Sequence, residues 1–416
     1  MISTRRRARR ATTVALVAGA ALALAACSGG SSSSTTASAD SSAGLQILIG
    51  SSGDTETAAV KDAVQAWSTS SGVATEVVVA SDLSQELSQG FASGQPADVF
   101  YVGSDAFAGY AKNGSLLAYG DKLDNADDFY PSLVEQFSYD DQFYCAPKDF
   151  STLALVINTD DWAAAGLTDA DIPTTWDQLA AVATTLTTDG RTGLVFSGEY
   201  ARVGAFMAQA GGGLLSADGT KVIASDAANT TALEYVKTQL GAGSFAYAAT
   251  VGAGWGGEAF GKNLAAMTIE GNWITGSMTA DYPDVKYKVV ELPAGPAGQG
   301  TLQFTNCWGI AADSTQQDSA IDLVQYLTST DQQLSFADAF GVMPSVESAA
   351  DGYKEQLPEM AAFVDSASFA QNVVNVPGAS DVISDFNSQL EGLATGDPAG
   401  ILASVQTNLQ DVIDNQ

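Results

Sequence analysis

The chain has 416 residues, with 17 lysines and arginines against 48 aspartates and glutamates, no histidine, and a formal net charge of −31. A surface that acidic repels phosphate backbones and anionic lipid, which argues against a nucleic-acid role. Without histidine there is no Ser-His-Asp or Cys-His site, and the commonest general base and metal ligand are both missing.

The cationic residues are unevenly spread. Arg5, Arg6, Arg7, Arg9 and Arg10 form a basic start with no acid, and residues 11–26 form a short apolar run. That run is shorter than the roughly 20 residues a spanning helix needs, so residues 1–26 are expected to be a secretory signal peptide. Its close, Leu24-Ala25-Ala26-Cys27, resembles a bacterial lipobox, which implies cleavage before Cys27 and a diacylglycerol on its sulfur. An ordinary export signal with an incidental cysteine is the alternative. Residues 27–44, rich in Ser, Thr and Gly, bury too little apolar surface to order themselves and are expected to tether the folded part.

The chain as a whole is 46% hydrophobic and too long for one ordinary core, so two lobes are expected. LQILIG, from Leu45, reads as a strand, followed by a helix capped by Asp54 or Thr55 with Val60, Val64 and Trp67 on one face. ATEVVVA and ADVFYVG are the next strands, separated by a polar helix. Strands alternating with helices imply a parallel α/β sheet, whose ligands sit beyond the carboxyl ends of its strands. A further strand is expected over 152–157. Thr175 with Gln178 starts a helix that Gly190 closes. Trp176 there is expected to staple the helix entry. Gly211–Gly213 lacks the Gly-Lys-Ser/Thr ending of a phosphate loop and reads as a turn. LQFTNCWGIAAD returns as a strand, and the last hundred or so residues read as largely helical. Cys145 and Cys307 make an even pair in an exported chain, which points to a disulfide, with two buried free thiols as the alternative.

Several segments taken in order, ADVFYVGSDAFAGYAKNGSLLAYGD, FYCAPKDFSTLALVINTDDWAAAGL, IPTTWDQLAAVATTL, FGKNLAAMTIEGNW and CWGIAADS, resemble extracellular solute-binding family 1. These are the maltose-binding-protein-like substrate-binding lipoproteins of carbohydrate ABC importers. The resemblance implies an α/β, periplasmic-binding-protein-like type II fold: two lobes around a ligand cleft, joined by crossing hinge strands. Lobe one would be 45–150 plus 305–345, and lobe two 151–304 plus 346–416. Cys145 and Cys307 then fall on adjoining segments at the crossing. It further implies a monomer without cofactor or metal that binds an oligosaccharide, does no catalysis, works with membrane permease subunits, and touches the outer face of the cytoplasmic membrane only through Cys27.

A sugar site needs rings to stack on and carboxylates or amides for hydroxyls. Similarity to the family's carbohydrate binders places Asp54, Glu56 and Asp105 at the mouth of lobe one with Tyr101 close by, and makes Tyr200 and Trp273 stacking rings in lobe two. Asp149 lies on the first crossing strand beside Ser151. Trp255 and Glu258 are candidates from their glycine-flanked setting, and Trp308 is expected to approach the cleft. Arg202 is one of very few cations mid-chain. Two rival readings stand beside this one. One is a secreted glycosidase using a pair among Asp54, Asp105, Asp149, Glu199, Glu258 and Glu270. The other keeps the fold for a polyamine or cation, although no calcium-loop run of alternating acids is present.

Overall fold

The computed structural model describes residues 44–216 and 219–415. The signal peptide, Cys27 and all of the tether except Gly44 lie outside those residues. In chain order the strands are β1 (Leu45–Ile49), β2 (Thr75–Val79), β3 (Val99–Gly103), a small hairpin of β4 (Ser138–Tyr139) and β5 (Gln142–Phe143), β6 (Ala146–Thr152), β7 (Ala154–Asn158), β8 (Thr192–Phe196), β9 (Phe245–Tyr247), β10 (Ala265–Glu270), β11 (Tyr287–Val290), β12 (Thr301–Ile310) and β13 (Ala370–Asn372).

They form two main sheets. The first has the order β13-β12-β3-β1-β2, with β6 also paired to β12; the second has the order β11-β7-β10-β8-β9. β1 runs parallel to β2 and β3, while β12 runs antiparallel to β3 and β6. In the second sheet β10, β8 and β9 are parallel, and β7 is antiparallel to its neighbours β10 and β11. The chain crosses from the first sheet to the second at Leu153 and returns between β11 and β12. The strand expected over 152–157 is therefore two strands: β6 ends at Thr152 and β7 begins at Ala154, each hydrogen-bonded to a different sheet.

The near-continuous apolar runs of β1 and β3 are buried because helices cover both faces of the sheet. Helix α1 (Asp54–Ser71) buries Val60, Val64 and Trp67, the face that the spacing predicts. Its N-cap is Gly53, not Asp54 or Thr55; Asp54 is the first helical residue, and the loop is tied down instead by Glu56. Thr175 does cap the helix Trp176–Leu186, but that helix ends four residues before Gly190, which sits in the turn bridging Thr188 and Arg191. Trp176 is buried there and stacks on Tyr235 at 4.3 Å.

One face of the first sheet packs Tyr101 and Trp308 with Trp67. The other packs Val102, Phe107 and Phe137 around Cys145 and Cys307, which form a disulfide with Cα atoms 5.6 Å apart. Phe196, Phe206 and Phe245 centre the second sheet's core, to which the C-terminal helices Ser380–Glu391 and Pro398–Asp414 add Phe386 and Leu402.

Candidate functional site

The first half of the site lies at the carboxyl ends of β1 and β3. Pairing of β6 with β12 slips from Asp149↔Asn306 to Pro147↔Cys307, leaving Lys148 as the extra residue of a bulge. A bulge bends its strand and re-aims side chains, and here it carries Lys148 to Glu56 at 3.2 Å, into contact with Asp149, and to 4.6 Å above the Tyr101 ring. Glu56 Oε1 also accepts the Tyr101 hydroxyl at 3.0 Å, and Glu56 Oε2 accepts the Ser52 N–H and hydroxyl at 2.7 and 2.6 Å. One buried carboxylate thus fixes the β1–α1 loop to two other strands. Burial pushes Glu56 up, but Lys148 and the Ser52 and Tyr101 hydrogen bonds outweigh it and hold the carboxyl below its usual range. For Asp149 the balance reverses: burial prevails over Lys148 and raises it.

The second half stands at the carboxyl ends of β8 and β10. Glu270 closes β10 at 0% exposure. Its Oε2 takes Arg202 Nη2 at 2.6 Å and the Trp273 indole N–H at 3.0 Å, while Arg202 Nη1 reaches Glu199 at 3.2 Å. The guanidinium lies 5.2 Å from the Trp273 ring centre, within cation–π range. Burial raises the Glu270 carboxyl, with Arg202 and Trp273 pulling against it.

Trp273 itself is 38% exposed, unusual for so large an apolar ring. Its place depends on Gly271, where a Cβ would lie 2.3 Å from the indole and 2.6 Å from Ser151 Oγ. Ser151 Oγ accepts the Asn272 N–H at 3.1 Å, and its Cα partner across the crossing strands is Phe304, whose ring meets Trp273 edge-on at 5.6 Å. The exposed indole is therefore held against the strand that joins the two sheets. Two residues along β12 from Phe304 the side chain of Asn306 is exposed, as are those of Asp105, after β3, and Asp54, at the start of α1. None of the three side chains has a hydrogen-bond or ion-pair partner among the described residues. No group of three or more His, Cys, Asp or Glu among those residues is placed to hold a metal ion, and no helix there is long and apolar enough to cross a membrane.

Residues 62–363 match the sequence profile of the family described as bacterial extracellular solute-binding protein. The chain belongs to that family. A binding protein of Brucella abortus (strain 2308) is 24% identical over 347 residues, covering 79% of this chain and 82% of its own length. Among solved structures, the cyclic alpha-maltosyl-1,6-maltose binding protein of Arthrobacter globiformis superposes with a TM-score of 0.80 at 20% identity, covering 90% of this chain and 100% of the other. The maltotriose binding protein of Thermus thermophilus gives 0.71 at 20% identity, with 89% and 100% covered. The two sheets and their crossing strands are those of the type II periplasmic-binding fold.

Within this solute-binding protein the sequence candidates separate. Asp54, Asp105 and Trp273 present side chains to solvent at strand ends, whereas Glu56, Tyr101 and Asp149 are buried in the Lys148 cluster. Trp308 is 1% exposed: it lies two residues beyond Asn306 on the same face of β12, where Tyr101 and α1 already cover it. Tyr200 is buried against Phe386 and Gly204 rather than presenting a ring face. The half-buried Trp255 folds its ring across Gly257, and Glu258 is engaged by the Gly254 N–H at 2.5 Å and by Lys262. Three residues escaped the sequence reading: Lys148, Phe304 and Asn306. Period-two alternation through LQFTN puts Phe304 and Asn306 on one face, and that was the available signal.

Proposed function

We propose that this chain is the non-catalytic, lipid-anchored receptor of an ABC importer, taking an uncharged carbohydrate, an oligosaccharide, between two closing lobes and passing it to the permease. The lobes are 45–150 plus 305–345 and 151–304 plus 346–416, with Cys27 as the anchor. The observation that carries the reading is Trp273. Its only hydrogen-bonding atom is engaged by a buried carboxylate, so what it offers solvent is an apolar face, the surface on which the C–H side of a pyranose stacks. Unpaired Asp54 and Asp105 supply acceptors for hydroxyls.

Charge narrows the ligand. Lys148 and Arg202 are the cations of these clusters, and each is already paired with two carboxylates. An anionic sugar would meet a net negative wall with no free cation. The Arthrobacter and Thermus proteins of the same fold bind, by their names, a cyclic maltosyl-maltose and maltotriose, which supports a glycan of several rings here. Ligand contacts made to both lobes at once favour the closed arrangement and so drive closure.

The test is a thermal-shift and calorimetric panel on the mature chain carrying Cys27→Ser, with maltotriose, cellotriose, xylotriose and raffinose against trigalacturonate, glucose 6-phosphate and spermidine. Stabilisation by a neutral glycan, with no release of reducing ends, is expected. Binding only of spermidine, or glycan turnover abolished by Glu270→Gln, would replace this reading. Mass spectrometry of the membrane-fraction protein tests the anchor: an unmodified Cys27 would remove it.

A further inference from the structure

The face of β12 between the two clusters has an uncommon pattern. Along Thr301–Ile310 almost every residue is buried, but Phe304 is half-buried and Asn306 is exposed, while Thr305 and Cys307 around Asn306 are buried. Residues two apart on a strand project from the same side, so Phe304 and Asn306 share the side on which Trp273 lies. Asn306 pairs with Gly103 of β3 and with Asp149 of β6, which places it at the middle of the junction.

Nothing among the described residues accounts for its side chain. The carboxamide makes no hydrogen bond among the described residues, although both flanking residues are fixed: Thr305 donates to Asp149 O at 2.7 Å and Cys307 is in the disulfide. Asp105 approaches the carboxamide over Gly103. A Cβ on Gly103 would lie 2.5 Å from Asp105 Oδ1 and 3.6 Å from Asn306 Oδ1, so the two side chains converge above a residue that has no side chain of its own. A carboxylate only accepts hydrogen bonds, whereas a carboxamide both donates and accepts. Together they can satisfy two neighbouring hydroxyls, one of them as donor and acceptor at once, which a pair of carboxylates cannot do.

We propose that the crossing strand itself reads the ligand: Phe304 walls the sugar ring that stacks on Trp273, and the Asn306 carboxamide, beside Asp105, selects among hydroxyl configurations. This rests on the carbohydrate reading above. It assigns specificity to the strand joining the two lobes, where the ligand would contact both crossing elements before either lobe moves. The edge-on arrangement of Phe304 and Trp273, with ring planes at 76°, forms a corner that encloses one ring from two sides. The hydroxyls of that ring, or of the next, then fall over Asn306, about 7 Å further along the strand at the usual rise per residue.

The experiment compares the wild-type mature chain with Asn306→Ala and Asn306→Asp, each titrated calorimetrically with maltotriose, cellotriose, xylotriose and raffinose, with melting temperature read in parallel. Loss of one hydrogen bond to a hydroxyl predicts about 3- to 10-fold weaker binding in both variants for the tightest of these glycans. The order of preference among the four should also change, while the melting temperature of free Asn306→Ala stays that of the wild type because the side chain makes no hydrogen bond among the described residues. Asn306→Asp keeps the shape, removes the donors and adds a negative charge beside Asp105, so a loss of affinity shared with the uncharged Asn306→Ala assigns the effect to the carboxamide's donors and not to shape or charge. If the wild type binds a glycan and both variants bind it equally well in the same order, the inference fails and the carbohydrate reading stands. If the wild type binds none of the four, both fall.

Discussion

Trp273 donates its indole N–H to Glu270 Oε2 at 3.0 Å, joining a ring that is 38% exposed to a carboxylate that is 0% exposed. The contact orients the ring without covering it. Trp273→Ala is expected to weaken glycan binding by about 1–3 kcal/mol, the scale of a stacking aromatic at the centre of an interface, in a protein that still folds. Gly271→Ala gives an independent check, since its methyl would drive into the indole and Ser151. A comparable affinity loss there, with Trp273 itself intact, would show that position as well as presence of the ring matters; unchanged calorimetric affinity in both variants would refute the stacking role.

Arg202 is the counter-ion of Glu270, and removing it leaves a buried carboxylate with only an indole N–H for company. Arg202→Met, which keeps the volume but not the charge, is expected to destabilise the protein by about 3–5 kcal/mol, the usual cost of breaking a buried pair from one side. Chemical denaturation measures this. Arg202→Met/Glu270→Leu should recover much of the loss, because both buried charges are then gone.

Glu56 gives the pH dependence a sign. Its folded-state carboxyl is held below the ordinary 4.5 by Lys148 and its hydrogen bonds, against the opposing effect of burial. A depressed carboxyl contributes stability in full above the unfolded value and loses it as pH falls through the folded one. The stability gap between wild type and Glu56→Gln should therefore be constant at neutral pH and shrink on acidification below 4.5. Asp149 and Glu270, both raised by burial, work the other way: each costs stability as pH rises from its ordinary value through its raised one. Melting curves of the two proteins across the acid range resolve the sign, and a gap that widened on acidification would contradict the assignment.

Much of this was legible in sequence because it rests on local pattern. The alternation of strand and helix, the buried face of α1 and the exposed Trp273 at the end of β10 all follow from residues close together in the chain. The burial of Trp308 and Tyr101 does not, because it depends on two strands 200 residues apart, in round numbers, meeting in register and on α1 closing over them. Lys148 was illegible for the same reason: a lysine next to an aspartate reads as surface, and only the bulge opposite Cys307 turns it inward to Glu56. Tyr200 shows the limit of motif matching. It starts its helix where a stacking ring was expected, yet Phe386, from the C-terminal helices, occupies the space beside it.

The Cys145–Cys307 disulfide closes a separation of 162 residues and lies on the face of β12 opposite Asn306. Cross-linking so long a loop restricts the unfolded chain strongly, and removing a native disulfide costs about 2–5 kcal/mol. The pair also ties the start of β6 to β12 immediately beside the Lys148 bulge, so its loss should loosen the register on which Lys148, Glu56 and Asn306 all depend. Cys145→Ala/Cys307→Ala is accordingly expected to melt lower and to bind glycan more weakly, even at temperatures where it is fully folded. Hydrogen exchange should locate the added opening in β6 and the adjoining half of β12. A variant that lost only melting temperature, with affinity and exchange in those strands unchanged, would confine the disulfide to restraining the unfolded chain.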